Sequence, residues 1–242
     1  MAGFFVALGV AARNVSVYSI NDIRMERIVS GLFFPVGFMF IFFLGGELFT
    51  GNSLMIMGVL DKKIRLKKVF RNCSMVYIGN LIGCTVGAML INYSGLLNIE
   101  NSWVGAYMIN MAYNKMNIDV STGFISSILC NIFICLAILL ATVPSDVTGK
   151  FLLSWLVICS FAIVGFEHIV VNMYICIAGL FARQDSEFII RAKEIYNITS
   201  EQINSINLEN MLRNFSIVTI GNMIGGMIIV SFAMYYGFTK KI

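Results

Sequence analysis

Arg71-Asn-Cys-Ser-Met-Val-Tyr-Ile-Gly-Asn-Leu-Ile-Gly83 and Arg213-Asn-Phe-Ser-Ile-Val-Thr-Ile-Gly-Asn-Met-Ile-Gly225 are two copies of one sequence, identical at 9 of 13 positions. A match of this length within one chain indicates an internal repeat. The chain is therefore predicted to consist of two related halves. Earlier pairs of residues, each separated by 120 positions, agree with this: Gly3 with Gly123, Glu47 with Glu167, and Asn52 with Asn172.

The composition predicts a membrane protein. The 242 residues are 58% hydrophobic and only 12% charged, with a mean hydropathy of +0.84. Soluble domains carry roughly 25% charged residues. The apolar runs approach the roughly 20 residues that a helix needs to cross a bilayer, and they lack the alternation of a transmembrane barrel. We therefore predict an all-α integral membrane protein.

Six apolar segments are predicted as membrane helices, and the second and fifth are too long for one straight crossing of about 30 Å. Polar residues interrupt these two segments at Gly46–Asn52 and Gly165–Asn172. We therefore predict that both helices are broken inside the membrane. The six segments are about Ala2–Ser19, Ile28–Leu60, Ser74–Tyr93, Thr122–Val143, Phe151–Phe181 and Phe215–Phe238.

Three helices in each half force the two copies into opposite orientations across the membrane, because the number of crossings is odd. We predict a single transmembrane domain over residues 1–242, with repeat one at about 1–93, a connection at about 94–121 and repeat two at about 122–242. Inverted repeats have their solute site near the midplane, where broken helices meet. The two breaks are thus the predicted site.

The basic residues indicate how the chain is oriented in the membrane. Six Lys and Arg residues crowd the connection at residues 62–71, which assigns that connection and both termini to the cytoplasm.

Arg13 follows only a dozen mostly apolar residues, too few for a comfortable crossing, which suggests that a natural N-terminal extension is missing. The same start has no basic region or cleavage site, so we do not interpret it as a signal peptide.

Three ionisable residues fall inside the predicted breaks, where a charge costs about 3 kcal/mol or more and is usually functional or paired. His168 is the only histidine. It either exchanges protons near neutral pH or bonds the interrupted backbone as a buried structural residue. Glu47 and Glu167 occupy equivalent positions, which favours a shared structural duty, the acceptance of hydrogen bonds from backbone N–H groups at the breaks.

Five further candidates have an ordinary interpretation beside the functional one. Thr50 offers a hydroxyl group to a passing anion, although threonine in a break is weak evidence alone. Lys115, in an almost uncharged connection before the fourth helix, would by itself be a snorkelling surface residue. Leu48, Phe49 and Phe161 are typical core residues, and at a break they could form apolar constrictions that admit a solute only after dehydration.

Glycines and cysteines in the apolar segments are predicted to be structural. The glycines of Gly79-Asn-Leu-Ile-Gly83 and Gly221-Asn-Met-Ile-Gly225 suit close helix packing. The six cysteines have no paired spacing, which favours small buried hydrophobic residues over disulfides or a zinc site.

Gly46-Glu-Leu-Phe-Thr-Gly-Asn52 followed by a basic connection, and Gly165-Phe-Glu-His-Ile-Val-Val-Asn-Met173, resemble the formate/nitrite transporter family. The amphipathic N-terminal helix of that family is missing. Ile169-Val-Val171 also departs from the family pattern, in which a small polar residue and alanine are common, so the resemblance does not define local packing and selectivity at this point. The resemblance covers nearly the whole chain, including Ala2–Gly9, Ala112–Lys115, Cys130-Asn131 and Val218–Gly226.

The resemblance implies an aquaporin-like six-helix protomer in a homopentamer, each protomer with its own pore. It implies that His168 is the central histidine and that Thr50 and Asn131 are its hydrogen-bonding partners. It also implies that Lys115 has Glu167 as its buried partner. The residues implied as apolar constrictions are Leu48, Phe49 and Phe161.

We therefore predict a channel or proton-coupled transporter for small monovalent anions (formate, nitrite or hydrosulfide), with His168 as proton donor. The predicted partners are these anions, protons and the lipid bilayer of a bacterial or archaeal cytoplasmic membrane, with no cofactor and no nucleic acid. An aquaporin-like pore for neutral solutes is the alternative, but it would carry Asn-Pro-Ala pairs, and the only prolines are Pro35 and Pro144. An enzyme is not predicted, because one histidine and unpaired cysteines supply no metal cluster or hydrolase set.

Overall fold

The first half of the chain forms three membrane segments. The computed structural model describes residues 1–238, and regular structure in these residues is helical throughout. The second segment is a rod that is interrupted after Leu44 and resumes at Gly51. The elements are α1 (Ala2–Val17), α2 (Ile23–Phe33), α3 (Pro35–Leu44), a 3-10 turn (Gly51–Met55), α4 (Ile56–Leu60) and α5 (Leu66–Tyr93).

The second half repeats this plan after a helical connection. A 3-10 turn at Leu96–Asn98 leads into that connection, and the break after Val164 corresponds to the break after Leu44. The sixth segment contains a π-helical stretch at Ile224–Val230. The elements are α6 (Ile99–Met116), α7 (Val120–Ala141), α8 (Val147–Val164), α9 (Ile169–Ala182), α10 (Ser186–Tyr196), α11 (Ser200–Asn204), α12 (Leu208–Met223) and α13 (Ser231–Phe238).

Both breaks begin at a glycine in the left-handed backbone region. Gly45 and Gly165 each have a φ of 79°, and each follows the last residue of a helix. A side chain in this conformation would cost about 1 kcal/mol or more, which explains why glycine ends both helices. The first break therefore begins at Gly45, one residue before the predicted Gly46, and matches Gly165 at the same separation of 120 residues.

Several helices extend beyond their predicted ends. The second segment begins at Ile23, where the Asp22 side chain accepts hydrogen bonds from two backbone N–H groups. The third and sixth begin at Leu66 and Leu208, eight and seven residues before the predicted starts. Hydropathy locates the part of a helix that lies in lipid, whereas polar N-caps and charged residues with good helix propensity carry the helix into water.

The predicted connection at residues 94–121 contains a helix, α6, that was not predicted; left-handed backbone at residues 100–102, with φ of 47° to 69°, interrupts its start. Its hydropathy is too low for a membrane segment, yet one of its faces is buried and packs against α9 and α10. Lys115 therefore lies in the last turn of a packed helix, and its position is fixed by the fold.

Five helices of the described chain are long and apolar enough to cross a membrane: Ile23–Leu44, Leu66–Tyr93, Val120–Ala141, Val147–Val164 and Leu208–Gly237. The first segment, α1, is a shorter apolar helix of 16 residues. The second part of each broken segment is also short. The prediction of an all-α bundle with broken second and fifth helices is confirmed.

Equivalent helix pairs pack closely in both halves. α1 packs along α5, and α7 packs along α12. A Cβ atom at Gly83 would lie 2.8 Å from the backbone nitrogen of Phe4, and one at Gly225 would lie 2.2 Å from the carbonyl oxygen of Ile128. These glycines serve close packing as predicted, whereas Gly79 has open space around it.

Candidate pore site

The interrupted backbone at the first break is bonded by an asparagine from another helix. Asn80, on α5, donates from Nδ2 to the carbonyl oxygen of Glu47 at 3.0 Å. Its Oδ1 accepts a hydrogen bond from the Phe49 backbone N–H, also at 3.0 Å. One side-chain amide thus satisfies a donor and an acceptor that the end of the helix leaves without partners.

Asn222, on α12, does the same at the second break. It donates to the carbonyl oxygen of Glu167 at 3.0 Å and accepts from the Ile169 backbone N–H at 2.9 Å. It also donates to the carbonyl oxygen of Ser127 at 2.7 Å. Asn80 and Asn222 were not predicted as site residues, although they occupy the same position in the two 13-residue copies, and this match could have identified them.

The carboxylates of the breaks also have matching partners. Glu47 accepts hydrogen bonds from the side chains of Asn52 and Asn72 at 2.9 and 3.1 Å. Glu167 accepts one from Asn172 at 2.7 Å. The two carboxylates thus occupy matching structural positions, but they accept from side-chain amides and not from the backbone N–H groups that were predicted. Asn80 and Asn222 bond the backbone instead.

An ion pair distinguishes the second break from the first. Lys115 Nζ lies 2.5 Å from Glu167 Oε1, and the two side chains are 20% and 6% exposed. Glu47 is exposed and has no such cationic partner among the described residues. A buried carboxylate needs a compensating charge, and the last turn of α6 supplies it here.

His168 begins α9 and bonds both breaks. Its Nδ1 accepts a hydrogen bond from the Val171 backbone N–H at 3.2 Å, and its Nε2 lies 2.8 Å from Thr50 Oγ1. Thr50 and His168 are both fully buried. Because Nδ1 acts as an acceptor, these bonds assign the hydrogen of the neutral ring to Nε2. The Nε2–H group then donates a hydrogen bond to Thr50 Oγ1. The hydroxyl hydrogen of Thr50 can then point to a third group.

Phenylalanine rings lie on two sides of His168. The Phe38 ring centroid is 5.7 Å from that of the imidazole, and the Phe161 centroid is 6.1 Å from it. Phe34 contacts both of these rings at 5.5 and 5.7 Å. The sequence analysis missed Phe34 and Phe38, whose spacing of four residues along one helix face is their only signal.

Three cavities border the two breaks. A wide vestibule of about 460 Å³ has Lys115 in its wall and adjoins an inner cavity of about 100 Å³ that has Phe161 in its wall. A third cavity, of about 330 Å³, has Phe38 and Leu48 in its wall and no ionisable group among its described lining residues. The His168 ring contacts Phe161 and Phe38 but lines neither of the last two cavities. Cationic side chains thus line the first two cavities, and none lines the described wall of the third.

Comparisons with known proteins agree with this geometry. The family model described as formate/nitrite transporter matches residues 1–236. The chain belongs to the formate/nitrite transporter family.

This family member resembles curated relatives over most of their length. It is 30% identical over 245 residues to the formate channel BtFdhC of Bacillus thuringiensis, covering 100% of this chain and 85% of that protein. It is 30% identical over 231 residues to a probable formate transporter of Methanothermobacter thermautotrophicus, covering 90% of this chain and 77% of the relative.

Solved structures have the same fold. A pentameric formate channel with formate bound has a TM-score of 0.86 at 23% identity, covering 100% of this chain and 94% of that one. An ion channel of the same family has a TM-score of 0.82 at 24% identity, covering 98% of this chain and 87% of that one. The chain is therefore a membrane transport protein and not an enzyme.

The remaining predicted residues of this transporter are only partly brought together. Leu48 lines the third cavity, whereas Phe49 packs edge-on against Tyr77, with ring centroids 5.1 Å apart. Asn131 donates to Ser53 Oγ at 3.2 Å and to the carbonyl oxygen of Asn222 at 2.6 Å. The described partners of His168 are thus Thr50 and Val171, and Asn131 instead ties the first break to α12.

Proposed function

We propose that this chain forms a pore for small monovalent anions, formate and nitrite first among them, in which His168 supplies a proton during passage. The observation that carries the proposal is the buried pair of Thr50 and His168 between two phenylalanine rings, with a lysine-lined vestibule on one side only. The formate channel of Bacillus thuringiensis supports the anion. The pentameric formate channel supports assembly as a homopentamer.

Positive groups collect the anion on the cationic side. Lys115 lies in the wall of the vestibule, and the N-terminus of α9 lies behind His168. A helix N-terminus carries about half a positive charge, and a partly buried lysine is only weakly screened. The basic connection at residues 62–71 follows the opposite cavity along the chain, so we infer that the lysine side faces the exterior and both termini the cytoplasm of a bacterial or archaeal cell.

Protonation lowers the barrier at the phenylalanine rings. A charge crossing an apolar constriction costs several kcal/mol, whereas protonating a small carboxylate with a pKa near 4 at pH 7 costs about 4 kcal/mol, about 1.36 kcal/mol for each of three pH units. These penalties are comparable, so passage as the neutral acid competes with passage as the anion. Hydrosulfide, the anion of a weaker acid, would need less assistance.

The hydrogen bonds of His168 define a route for the proton. A proton from water in the vestibule would bind at Nδ1 and displace the hydrogen bond from Val171. The Nε2 hydrogen would then pass to Thr50, whose own hydroxyl hydrogen passes to the anion. The imidazole is left neutral with its hydrogen on Nδ1, and exchange with water restores the original tautomer.

Proteoliposome flux tests the proposed function. Stopped-flow uptake of formate, nitrite, hydrosulfide and lactate would be compared at two pH values, with protein-free liposomes as the background. We expect formate and nitrite uptake above background and faster uptake at the lower external pH. Glycerol flux without formate flux would instead support the pore for neutral solutes and overturn the proposal.

Lys115→Ala is expected to raise the half-saturation concentration for formate, because it removes a positive charge from the wall of the inner cavity. The same change leaves the carboxylate of Glu167 without its ion-pair partner. Breaking a fully buried ion pair lowers the folding stability by about 3 to 5 kcal/mol. The loss is smaller here, because Lys115 is partly exposed. A loss of folded protein could therefore imitate weaker capture.

The double variant Lys115→Ala with Glu167→Gln separates these two effects. We expect thermal stability to recover, because the unpaired carboxylate is gone, while the half-saturation for formate remains raised. The measurement is initial uptake against formate concentration, with melting of the purified protein recorded in parallel. An unaltered concentration dependence in both variants would remove Lys115 from the capture step.

A further inference from the structure

Arg13, like Lys115, is a cationic side chain in the walls of both the vestibule and the inner cavity. The proposed function gives it no role. Arg13 lies on α1 and is about one-fifth exposed. Its side chain lines both the wide vestibule and the inner cavity, as do Met111 and Lys115 on α6. Arg13 therefore lies at the junction of the two cavities, where it contacts Met111, one helical turn before Lys115 on α6.

The guanidinium group is held by three acceptors from two helices. Nε donates to Ser30 Oγ at 2.9 Å, and Nη1 donates to Asn14 Oδ1 at 3.1 Å. Nη2 lies 3.3 Å from Glu26 Oε1, which also accepts the Tyr107 hydroxyl group at 2.6 Å. The group also lies over the Tyr107 ring, 5.5 Å from its centroid. Its plane is thus fixed before any anion arrives.

One hydrogen on each terminal nitrogen of the guanidinium group has no strong acceptor. The second hydrogen of Nη1 meets the Met111 sulfur at 3.1 Å, and a thioether is a weak acceptor. The second hydrogen of Nη2 has no acceptor among the described hydrogen bonds. An anion that displaces the thioether contact gains two charge-assisted hydrogen bonds without loss of a strong one.

We propose that Arg13 is a specificity-determining residue that selects planar anions with two oxygens, namely formate, other short carboxylates and nitrite. A guanidinium fork makes two parallel hydrogen bonds to the two oxygens of such an anion, whereas a spherical or linear anion presents only one acceptor atom to the fork and makes weaker, bent bonds. The anion passes from Arg13 to Lys115 on the way to His168. This inference rests on the proposed transport function and names the shape of the anion that the vestibule prefers.

The test compares formate with azide, a linear monoanion whose conjugate acid has a similar strength. Arg13→Lys keeps the charge and removes the fork. We expect the half-saturation for formate to rise about tenfold, equivalent to about 1.4 kcal/mol, while that for azide changes less than about twofold. Both anions are measured on the same proteoliposomes, so their ratio is independent of the amount of folded protein. An equal change for both anions, or no change, would overturn the inference.

Two further variants guard against a structural explanation. Glu26→Gln removes the carboxylate that competes for the fork, and we expect it to lower the formate half-saturation about threefold without affecting azide. If Arg13 serves only to hold Glu26, this variant would instead reproduce the effect of Arg13→Lys, and the inference fails.

Arg27→Lys is the matched control, because Arg27 lies in the wall of the same vestibule. We expect no change in the half-saturation concentration of either anion. A formate-selective change in this variant would also overturn the inference.

The failure of this inference is distinguishable from the failure of the proposed function. If the unmodified protein carries neither formate nor azide, the transport function itself is wrong. If it carries both and the variants keep its formate-to-azide ratio, only the role of Arg13 is wrong.

Discussion

Replacing His168 with asparagine is expected to abolish acid-driven anion uptake, by about a hundredfold or more, because a positioned proton donor contributes about 10² to 10⁴ to a rate. Asparagine is also a good N-cap, so its side-chain oxygen can accept the Val171 N–H that the histidine ring accepts now. The helix start is therefore preserved while the titratable ring is lost. The measurement is formate uptake into proteoliposomes driven by an inward pH gradient.

Assembly must be compared before the flux is interpreted. We expect His168→Asn to elute with the unmodified protein in size-exclusion chromatography and to melt within a few degrees of it. Thr50→Val is the companion variant, since it removes the hydroxyl group that lies 2.8 Å from Nε2 but keeps the ring, and under the proposed relay it should also reduce acid-driven uptake. Acid-driven uptake that is unchanged in His168→Asn would exclude the histidine as a proton donor.

Asn222→Leu is expected to destabilise the folded protein by about 2 to 4 kcal/mol. The substitution removes three buried hydrogen bonds, to Ser127, Glu167 and Ile169. Each unsatisfied buried group costs about 1 to 3 kcal/mol, although hydrogen bonds inside membrane proteins often contribute less than this. Thermal unfolding of the purified protein in detergent, together with the yield of assembled oligomer, measures the loss.

The matched comparison is Asn80→Leu in the other copy of the repeat. Asn80 makes two bonds across the first break, whereas Asn222 makes two across the second and a third to Ser127 on α7, so the loss should be smaller for Asn80→Leu. The order of the two losses therefore tests whether these amides hold the breaks. Unchanged melting of Asn222→Leu would mean that water or neighbouring groups replace its bonds and that the breaks do not depend on it.

The membrane fold could be predicted from the sequence because three strong signals coincide: continuous apolar runs, two overlong helices and a duplicated segment. The helix bounds could not, because hydropathy responds to lipid contact and not to helix formation. α5 thus continues eight residues towards the basic connection, where Lys67 and Lys68 are helical but too polar to be counted. α6 was missed for the same reason, since Asn110, Asn114 and Lys115 lower the hydropathy of a helix whose buried residues are mostly apolar.

The candidate site was predictable where a residue type is rare and less so where it is common. A single histidine beside a glutamate at a helix break is conspicuous, and the structure brings His168 and Thr50 together across the breaks. Asparagine and phenylalanine are frequent in this chain, so nothing local distinguished Asn222 or Phe38. The orientation of Asn131 away from His168 depends on the packing of α7 against α12, which no local pattern encodes.

The single titratable ring between Phe38 and Phe161 has a consequence for energetics. Under the proposed mechanism, an anion that takes one proton from this ring forms a pair with no net charge. The movement of that pair is electroneutral, so the membrane voltage does no work on it. For this route the pH difference sets the accumulation ratio, about tenfold for each pH unit. A cell would take the acid up from acidic surroundings and release it into alkaline ones.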